Sequence, residues 1–222
     1  LMSLLVPLGL LVLSYLIGSI PTGLLIVRLT TGKDIRQVES GRTGGTNAMR
    51  AAGFWAGLAT ALLDMLKSAV TGWIVRLGLG SDPLVEVLAP VAAIAGHNYS
   101  IFLIERNEKG APRLRGGAGG APAAGGAFGL WPPSLLIILP IGALILFGIG
   151  YASVATMSVP LIAVGIFAYR AWIGASPWEY ILYGLLAEVL LLIALQANIQ
   201  RLIKGNERLV GWRTKRRREV SE

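Results

Sequence analysis

Long apolar stretches recur along almost the whole sequence, and they constrain the fold more than any other feature. A helix that crosses a bilayer needs about 20 mostly apolar residues. Hydrophobic residues make up 54% of the 222 residues and charged residues only 14%, against about 25% in soluble domains. A soluble globular domain and a disordered chain are therefore excluded. Six stretches qualify as spans: 4–29, 54–75, 84–104, 130–150, 151–169 and 178–196.

A seventh span is predicted in the Gly- and Ala-rich stretch 116–128, followed by a turn at Pro132 and Pro133. Seventeen of the 20 basic residues lie in the first loop, the third loop and the C-terminal tail, and seven spans place all three on one face. The positive-inside rule makes that face cytoplasmic and leaves the N-terminus outside. The sequence thus predicts an all-α, polytopic membrane protein with seven transmembrane helices. Residues 1–222 form a single domain, with a basic cytoplasmic tail at about 201–222.

The charge and the rare residue types narrow the chemistry. The formal net charge is +8, the chain has no cysteine, and His97 is its one histidine. A disulfide framework, a thiol nucleophile and a cysteine- or histidine-based metal centre are excluded, so neither a metal nor a cofactor is predicted. Basic residues among so many apolar ones favour anionic membrane lipids or anionic substrates as partners, and not nucleic acid.

Two loops rich in glycine and arginine are candidate anion sites. Residues 39–47 read Glu-Ser-Gly-Arg-Thr-Gly-Gly-Thr-Asn and are followed by Arg50. Glycine lets the backbone approach a ligand, and a loop of this kind at a helix start suits phosphate. Residues 113–121 repeat the combination. A polar turn that caps a helix and close packing of small residues between helices are the alternative interpretations of these two loops.

Charged and titratable residues also occur inside the predicted spans. Asp64 and Lys67 are three residues apart on one helix face, where they form either an internal ion pair or a substrate contact. Glu188 lies alone in the last span and requires an interior partner. His97 is interpreted either as a general base or as a hydrogen-bonded packing residue.

Taken in order, these motifs resemble the bacterial acyl-phosphate-dependent glycerol-3-phosphate acyltransferases, the PlsY family. The resemblance extends from about residue 14 to residue 208, and the order and spacing of the motifs carry it. The matching segments are 14–23, 34–36, 40–50, 64–67, 96–102, 115–119, 153–156 and 198–207.

The resemblance implies a seven-helix enzyme of the bacterial inner (cell) membrane with its site at the cytoplasmic face. The family transfers an acyl group from acyl phosphate to the 1-hydroxyl of glycerol 3-phosphate, which gives lysophosphatidic acid and phosphate in phospholipid synthesis. Neither a metal nor an acyl-enzyme is implied. Catalysis of this kind depends mainly on positioning and on stabilising charge.

The resemblance also assigns roles by position. It implies four catalytic residues: Ser40, Arg50, Ser153 and Asn198. Arg50 would neutralise a substrate phosphate, and His97 would organise the second loop. The first-loop residues among those implied to bind substrate would hold the acyl phosphate. The full set implied to bind substrate is Gly41, Arg42, Gly44, Thr46, Asn47, His97, Arg115, Gly116 and Gly117.

The sequence differs from the family pattern at several motif positions. Glu39 and Arg42 replace a glycine and an asparagine of the first loop, Ala118 replaces a lysine of the third loop, and Leu195 replaces a histidine before the tail. Acyl transfer remains the predicted function, and these differences are the reason for keeping an alternative: a non-catalytic paralogue that binds acyl phosphate or lipid and regulates synthesis.

Overall fold

Ten α-helices and one β-hairpin make up the part of the chain that the structure describes. The structure is a computed structural model, and it describes residues 2–79, 82–106 and 110–210. The strands are β1 (Ser100–Arg106) and β2 (Pro112–Arg115), which pair antiparallel. The helices are α1 (Met2–Ser19), α2 (Thr22–Thr31), α3 (Gly45–Ala52), α4 (Phe54–Leu79), α5 (Pro83–Asn98), α6 (Gly120–Leu130), α7 (Leu135–Ile149), α8 (Ala152–Trp172), α9 (Glu179–Ala194) and α10 (Gln196–Ile203).

The main hydrophobic core lies where α5, α6, α8 and α9 meet. It includes Ile94, Ala127, Phe167 and Tyr183, all fully buried. Helix α6 passes through this core because its glycines allow very close packing: a side chain at Gly125 would overlap the backbone of α4. The outer helix α7 instead exposes most of its large apolar residues, as expected for a surface that faces lipid.

The predominantly helical membrane fold predicted from the sequence is confirmed, whereas the number of spans stays a prediction. Four helical stretches are long and apolar enough to span a bilayer: Leu5–Thr31, Phe54–Gly78, Pro132–Ile149 and Ala152–Trp172. The bent pair of α9 and α10 would make a fifth. With 16 and 11 residues, α5 and α6 reach only about 24 and 16 Å, less than the roughly 30 Å of hydrocarbon.

Two predicted spans end or break where the local chemistry competes with the helix. The first span breaks between α1 and α2 because Pro21 cannot donate a backbone hydrogen bond. The prediction that the third span reaches residue 104 is wrong, since its helix ends at Asn98 and β1 follows. The Ser100 hydroxyl donates to the Ser19 carbonyl (2.6 Å) and accepts from the Phe102 amide (3.1 Å), which fixes the chain in a non-helical path.

Two further features concern the turns between helices. The turn predicted at Pro132 and Pro133 is present as a 3₁₀ turn, Pro132–Ser134, before α7. The last predicted span ends at Ala194, where the chain bends by 69° into α10. This bend brings the polar residues of α10 back over the ends of the other helices.

Candidate active site

A cavity of about 190 Å³ lies at one end of the helices, and it gathers residues from seven segments of the sequence. We call it the first cavity. The first loop with α3, and helices α4 and α5, form part of its wall. The rest of the wall comes from the start of α6, the start of α8, the α9–α10 bend and the residues after α10. Nine of the thirteen predicted site residues line it: Ser40, Arg42, Gly44, Thr46, Asn47, Arg50, His97, Ser153 and Asn198.

Three helices point their N-termini at the first cavity. Gly45 begins α3, Gly120 begins α6 and Ala152 begins α8, and all three residues line the cavity wall. The first backbone N–H groups of a helix have no partner within that helix, and the helix dipole makes this end positive. A wall built from three such ends attracts an anion, and phosphate in particular.

Asn47 holds the first loop in shape. Its side-chain nitrogen lies 2.9 to 3.1 Å from three backbone carbonyl oxygens, those of Ile35, Val38 and Arg42. The loop is therefore closed onto the start of α3 by a side chain that is almost fully buried. The buried Asn47 Oδ1 has no hydrogen-bond partner among the described residues.

Arg42 lines the first cavity and contacts three separate segments of the chain. Its guanidinium donates to the carbonyl oxygens of Gly117 (3.0 Å) and Ala194 and to Asn198 Oδ1 (3.3 Å). Burial lowers the pKa of Arg42, and the positive charges of neighbouring arginines lower it further. The first loop, the third loop and the α9–α10 bend are thus joined through one charged group.

Asp64, Lys67 and His97 form a buried cluster on the membrane side of the first cavity. The ion pair predicted between Asp64 and Lys67 is present, with Nζ and Oδ1 2.9 Å apart. Lys67 Nζ also lies 3.1 Å from His97 Nδ1 and donates to the Ile20 carbonyl (3.0 Å) at the α1–α2 break. His97 Nδ1 also lies 3.4 Å from Asp64 Oδ1, so it faces both a donor and an acceptor, and each ring tautomer satisfies one of these two contacts.

His97 also connects this cluster to the third loop. The Gly117 amide donates to the His97 carbonyl (2.9 Å), and a Cβ at Gly117 would overlap His97 Nε2. Only glycine fits at this position. The geometry supports both interpretations of His97. Its hydrogen bonds and near-complete burial suit a packing residue, and its position in the wall of the first cavity suits a general base.

Glu207 organises the tail side of the first cavity. Its carboxylate accepts from Asn198 Nδ2 (2.8 Å), from Arg201 Nε (2.8 Å) and, at 3.4 Å, from the Ser153 hydroxyl. The sequence predicts Ser153 and Asn198 as site residues but not Glu207, although Glu207 ends the 198–207 segment. Thr156 and Arg208, which also line the cavity, were missed as well.

The four other predicted site residues lie next to the first cavity and not in its wall. Gly41, Arg115 and Gly116 line a second cavity on the other side of Arg42, and Gly117 contacts His97. Ala118 and Leu195, which replace the family lysine and histidine, both line the first cavity.

Two negative findings concern the described residues alone. Within the described ranges, no group of three or more His, Asp or Glu side chains is placed to hold a metal ion. In the same part of the chain, the interior partner expected for Glu188 is not found, since its buried Oε2 has no hydrogen-bond partner.

Known proteins resemble the chain over nearly its full length. A relative from Thermus thermophilus, named glycerol-3-phosphate acyltransferase, is 36% identical over 93% of this chain and 96% of the relative. A relative of the same name from Rubrobacter xylanophilus is 35% identical over 92% of this chain and 96% of the relative. The crystal structure of PlsY, an integral membrane glycerol 3-phosphate acyltransferase, in its glycerol 3-phosphate form has a TM-score of 0.78 and 30% identity. It covers 92% of this chain and 96% of that one.

The lysophosphatidic acid form of PlsY gives a TM-score of 0.75 at 28% identity, with 92% of this chain and 95% of that chain covered. The family model described as glycerol-3-phosphate acyltransferase matches residues 8–205. Together with the apolar helices, these matches identify a bacterial membrane protein. The chain belongs to the glycerol-3-phosphate acyltransferase family.

Proposed function

We propose that the protein transfers an acyl group from acyl phosphate to the 1-hydroxyl of glycerol 3-phosphate in the first cavity. The hydroxyl oxygen bonds to the carbonyl carbon, and the bond from that carbon to the phosphate oxygen breaks. The hydroxyl proton ends on orthophosphate, so the products are lysophosphatidic acid and phosphate. The observation that carries this proposal is the convergence of three helix N-termini on one cavity, because both substrates bear phosphate.

The residues of the cavity divide between the two substrates. Ser40 and the start of α3 would hold the acyl phosphate, as the resemblance implies, and the exposed Arg50 would neutralise a substrate phosphate. Ser153 and Asn198 both contact Glu207 and line the same cavity. Hydroxyl and amide groups there suit the polar acceptor, glycerol 3-phosphate.

Arg42 supplies a fixed positive charge in a site whose nearby wall is apolar at Ala118 and Leu195. A buried charge held by three acceptors is already oriented before substrate arrives, which is the condition for electrostatic stabilisation of a leaving phosphate. We infer that it replaces the charge, but not the proton chemistry, of the residues that stand at those two positions in the family.

The same proposal places the first cavity at the cytoplasmic face, with the N-terminus outside and the tail inside. Positive-inside asymmetry supports this orientation, since Arg42, Arg50, Arg201 and Arg208 all lie at the cavity end of the helices. The cluster predicted in the tail at 213–218, which would contact anionic lipid, lies outside the described residues.

A second candidate function is a non-catalytic paralogue that binds acyl phosphate or lipid and regulates synthesis. The apolar Ala118 and Leu195 in the wall of the first cavity favour it, because they offer neither a cation nor a proton-transfer group. The two functions differ in turnover: an enzyme releases phosphate, whereas a regulator only binds.

An activity assay on point variants tests the site. Arg50→Ala should lower phosphate release by at least about 100-fold, because a cation is lost beside a transferring phosphate. Lys204→Ala, which removes an exposed cation outside both cavities, should leave the rate within about twofold of the wild type. Equal effects of the two substitutions would contradict the assignment of the first cavity.

A further inference from the structure

The strand β1 exposes two large apolar side chains on one face. Phe102 and Ile104 have exposed fractions of 57% and 54%, whereas Leu103 between them is 4% exposed. Successive side chains of a strand point to opposite faces, so Phe102 and Ile104 share one face and Leu103 lies on the other. We call the surface formed by Phe102 and Ile104 the outer face of the hairpin. The described walls of the first and second cavities include neither residue.

The inner face places β1 beside a candidate membrane span. Leu103 belongs to one hydrophobic cluster with Leu24 and Val27 of α2, and these two residues lie in the first stretch that is long and apolar enough to span a bilayer. At the start of the strand, the Ser100 hydroxyl donates to the Ser19 carbonyl (2.6 Å) at the end of α1. The strand therefore runs along the last part of this span, from the α1–α2 break toward the end of α2.

Charged residues mark the level at which β1 and α2 leave the apolar region. Glu105 pairs with Arg36 (3.1 Å), which lies in the turn that follows α2. Arg28 is an exposed cation in the last turn of α2, and Arg106 is an exposed cation at the end of β1. Apolar side chains followed by exposed cations are the pattern of a segment that passes from acyl chains to headgroups.

The helix that β1 packs against exposes apolar residues as well. Leu25 and Leu29 of α2 have exposed fractions of 49% and 85%. Lipid is therefore the medium that suits the surface of both elements at this level. The hairpin fixes the depth further, because the unpaired edge of a strand needs hydrogen-bond partners that the hydrocarbon core does not supply and the headgroup region does.

We propose that the outer face of the hairpin is a membrane-docking surface, and that its partner is the bilayer on the side of the first cavity. Phe102 and Ile104 lie at the boundary between acyl chains and headgroups, and Arg106 lies among the headgroup phosphates. Because β2 leads directly into residues 115–117, docking holds the start of the third loop at a fixed depth. The surface binds lipid without chemistry and does not depend on the reaction proposed for the first cavity.

Single cysteines can report the depth of each position, because the chain has no cysteine of its own. Phe102→Cys and Ile104→Cys are labelled with an NBD fluorophore in the full-length protein, in nanodiscs of phosphatidylcholine and phosphatidylglycerol. Leu144→Cys, at a 73% exposed position of α7, is the lipid control, and Ala111→Cys, at the exposed turn of the hairpin, is the water control. Quenching is measured with a doxyl-labelled lipid and with aqueous iodide.

The ratio of lipid quenching to iodide quenching decides the proposal. At Phe102 and Ile104 this ratio should exceed the ratio at Ala111 by at least about threefold, as it should at Leu144, because a docked side chain lies below the headgroups. If the ratios at Phe102 and Ile104 equal the ratio at Ala111, the outer face lies in water and the proposal is wrong. Both positions are exposed, so a cysteine there removes little core packing. The readout needs no substrate and is therefore independent of the outcome of an acyl-transfer assay.

Discussion

Replacing Arg42 by methionine should lower the stability of the whole end of the molecule that holds the first cavity. The guanidinium donates to the carbonyl oxygens of Gly117 and Ala194 and to Asn198 Oδ1, so one side chain joins three segments that are far apart in sequence. Methionine has a similar length and fills the same space, but it cannot donate a hydrogen bond. The substitution therefore leaves those three oxygens without their donor.

The size of the effect follows from the number of bonds. A hydrogen bond to a charged group contributes about 1.5–3 kcal/mol, and the two carbonyl bonds together contribute roughly 3–6 kcal/mol. Water in the two cavities can hydrate the freed carbonyls, and the repulsion between Arg42 and Arg201, Arg113 and Arg115 disappears. Both effects favour the lower end of this range, a loss of about 3 kcal/mol in the free energy of unfolding. For a chain of this size, that loss lowers the melting temperature by roughly 6–12 °C.

Intrinsic tryptophan fluorescence can follow the melt, since the chain has six tryptophans and no cysteine for a thiol dye. Arg42→Lys keeps the charge but has no planar fork, so we expect about half of the loss. Arg28→Met removes an exposed arginine and should change the melting temperature little. If Arg42→Met melted within about 2 °C of the wild type, the reasoning that Arg42 joins these segments would be refuted.

Two further predictions concern the loops around the site. Gly117→Ala should lower the rate of phosphate release about 100-fold, because the added Cβ displaces the His97 ring. Gly142→Ala is the control, since there is open space around Gly142, and it should leave the rate unchanged. Equal rates for the two variants would contradict the role given to the contact between Gly117 and His97. Arg36 donates to Asp34 and lowers the pKa of that carboxyl below 3.8, so the ion pair stabilises the fold above pH 3.8. The stability difference between wild type and Asp34→Asn, about 1 kcal/mol or less, should shrink as the pH falls below this value, and a constant difference in acid melts would contradict it.

The sequence predicted the helical membrane fold and the first-loop part of the first cavity because the relevant signals are local. Apolar runs indicate spans, and a glycine-rich loop before a helix indicates a phosphate site. Helical spacing placed Asp64 and Lys67 on one face and left an ion pair and a substrate contact as alternatives; the structure contains the ion pair. Of the first-loop residues implied to hold the acyl phosphate, Ser40, Gly44, Thr46 and Asn47 line the first cavity, whereas Gly41 lines the second.

The features that the sequence did not predict depend on contacts between distant segments. Glu207 accepts hydrogen bonds from Asn198 and Ser153 only because the chain bends at Ala194 and then returns to the start of α8. The hairpin that replaces the end of the third span depends on the Ser100 contact with α1. The spacing of apolar and polar residues along the sequence predicts neither the contacts of Glu207 nor the hairpin.

One departure from the family pattern has a conformational consequence. Glu39 adopts a φ of 49°, in the left-handed region that favours glycine, and glycine is the residue that stands there in the family. Its carboxylate pairs with Arg208, and this contact links the first loop to the tail. The sequence alone showed the substitution but not this contact.

The most direct test of the central claim measures orthophosphate and lysophosphatidic acid together, using purified protein, acyl phosphate and glycerol 3-phosphate. The proposed reaction predicts that both products appear in a one-to-one ratio and that phosphate release requires glycerol 3-phosphate. If no phosphate were released above the protein-free background while both ligands still raised the melting temperature, the protein would be a binder and not an acyltransferase.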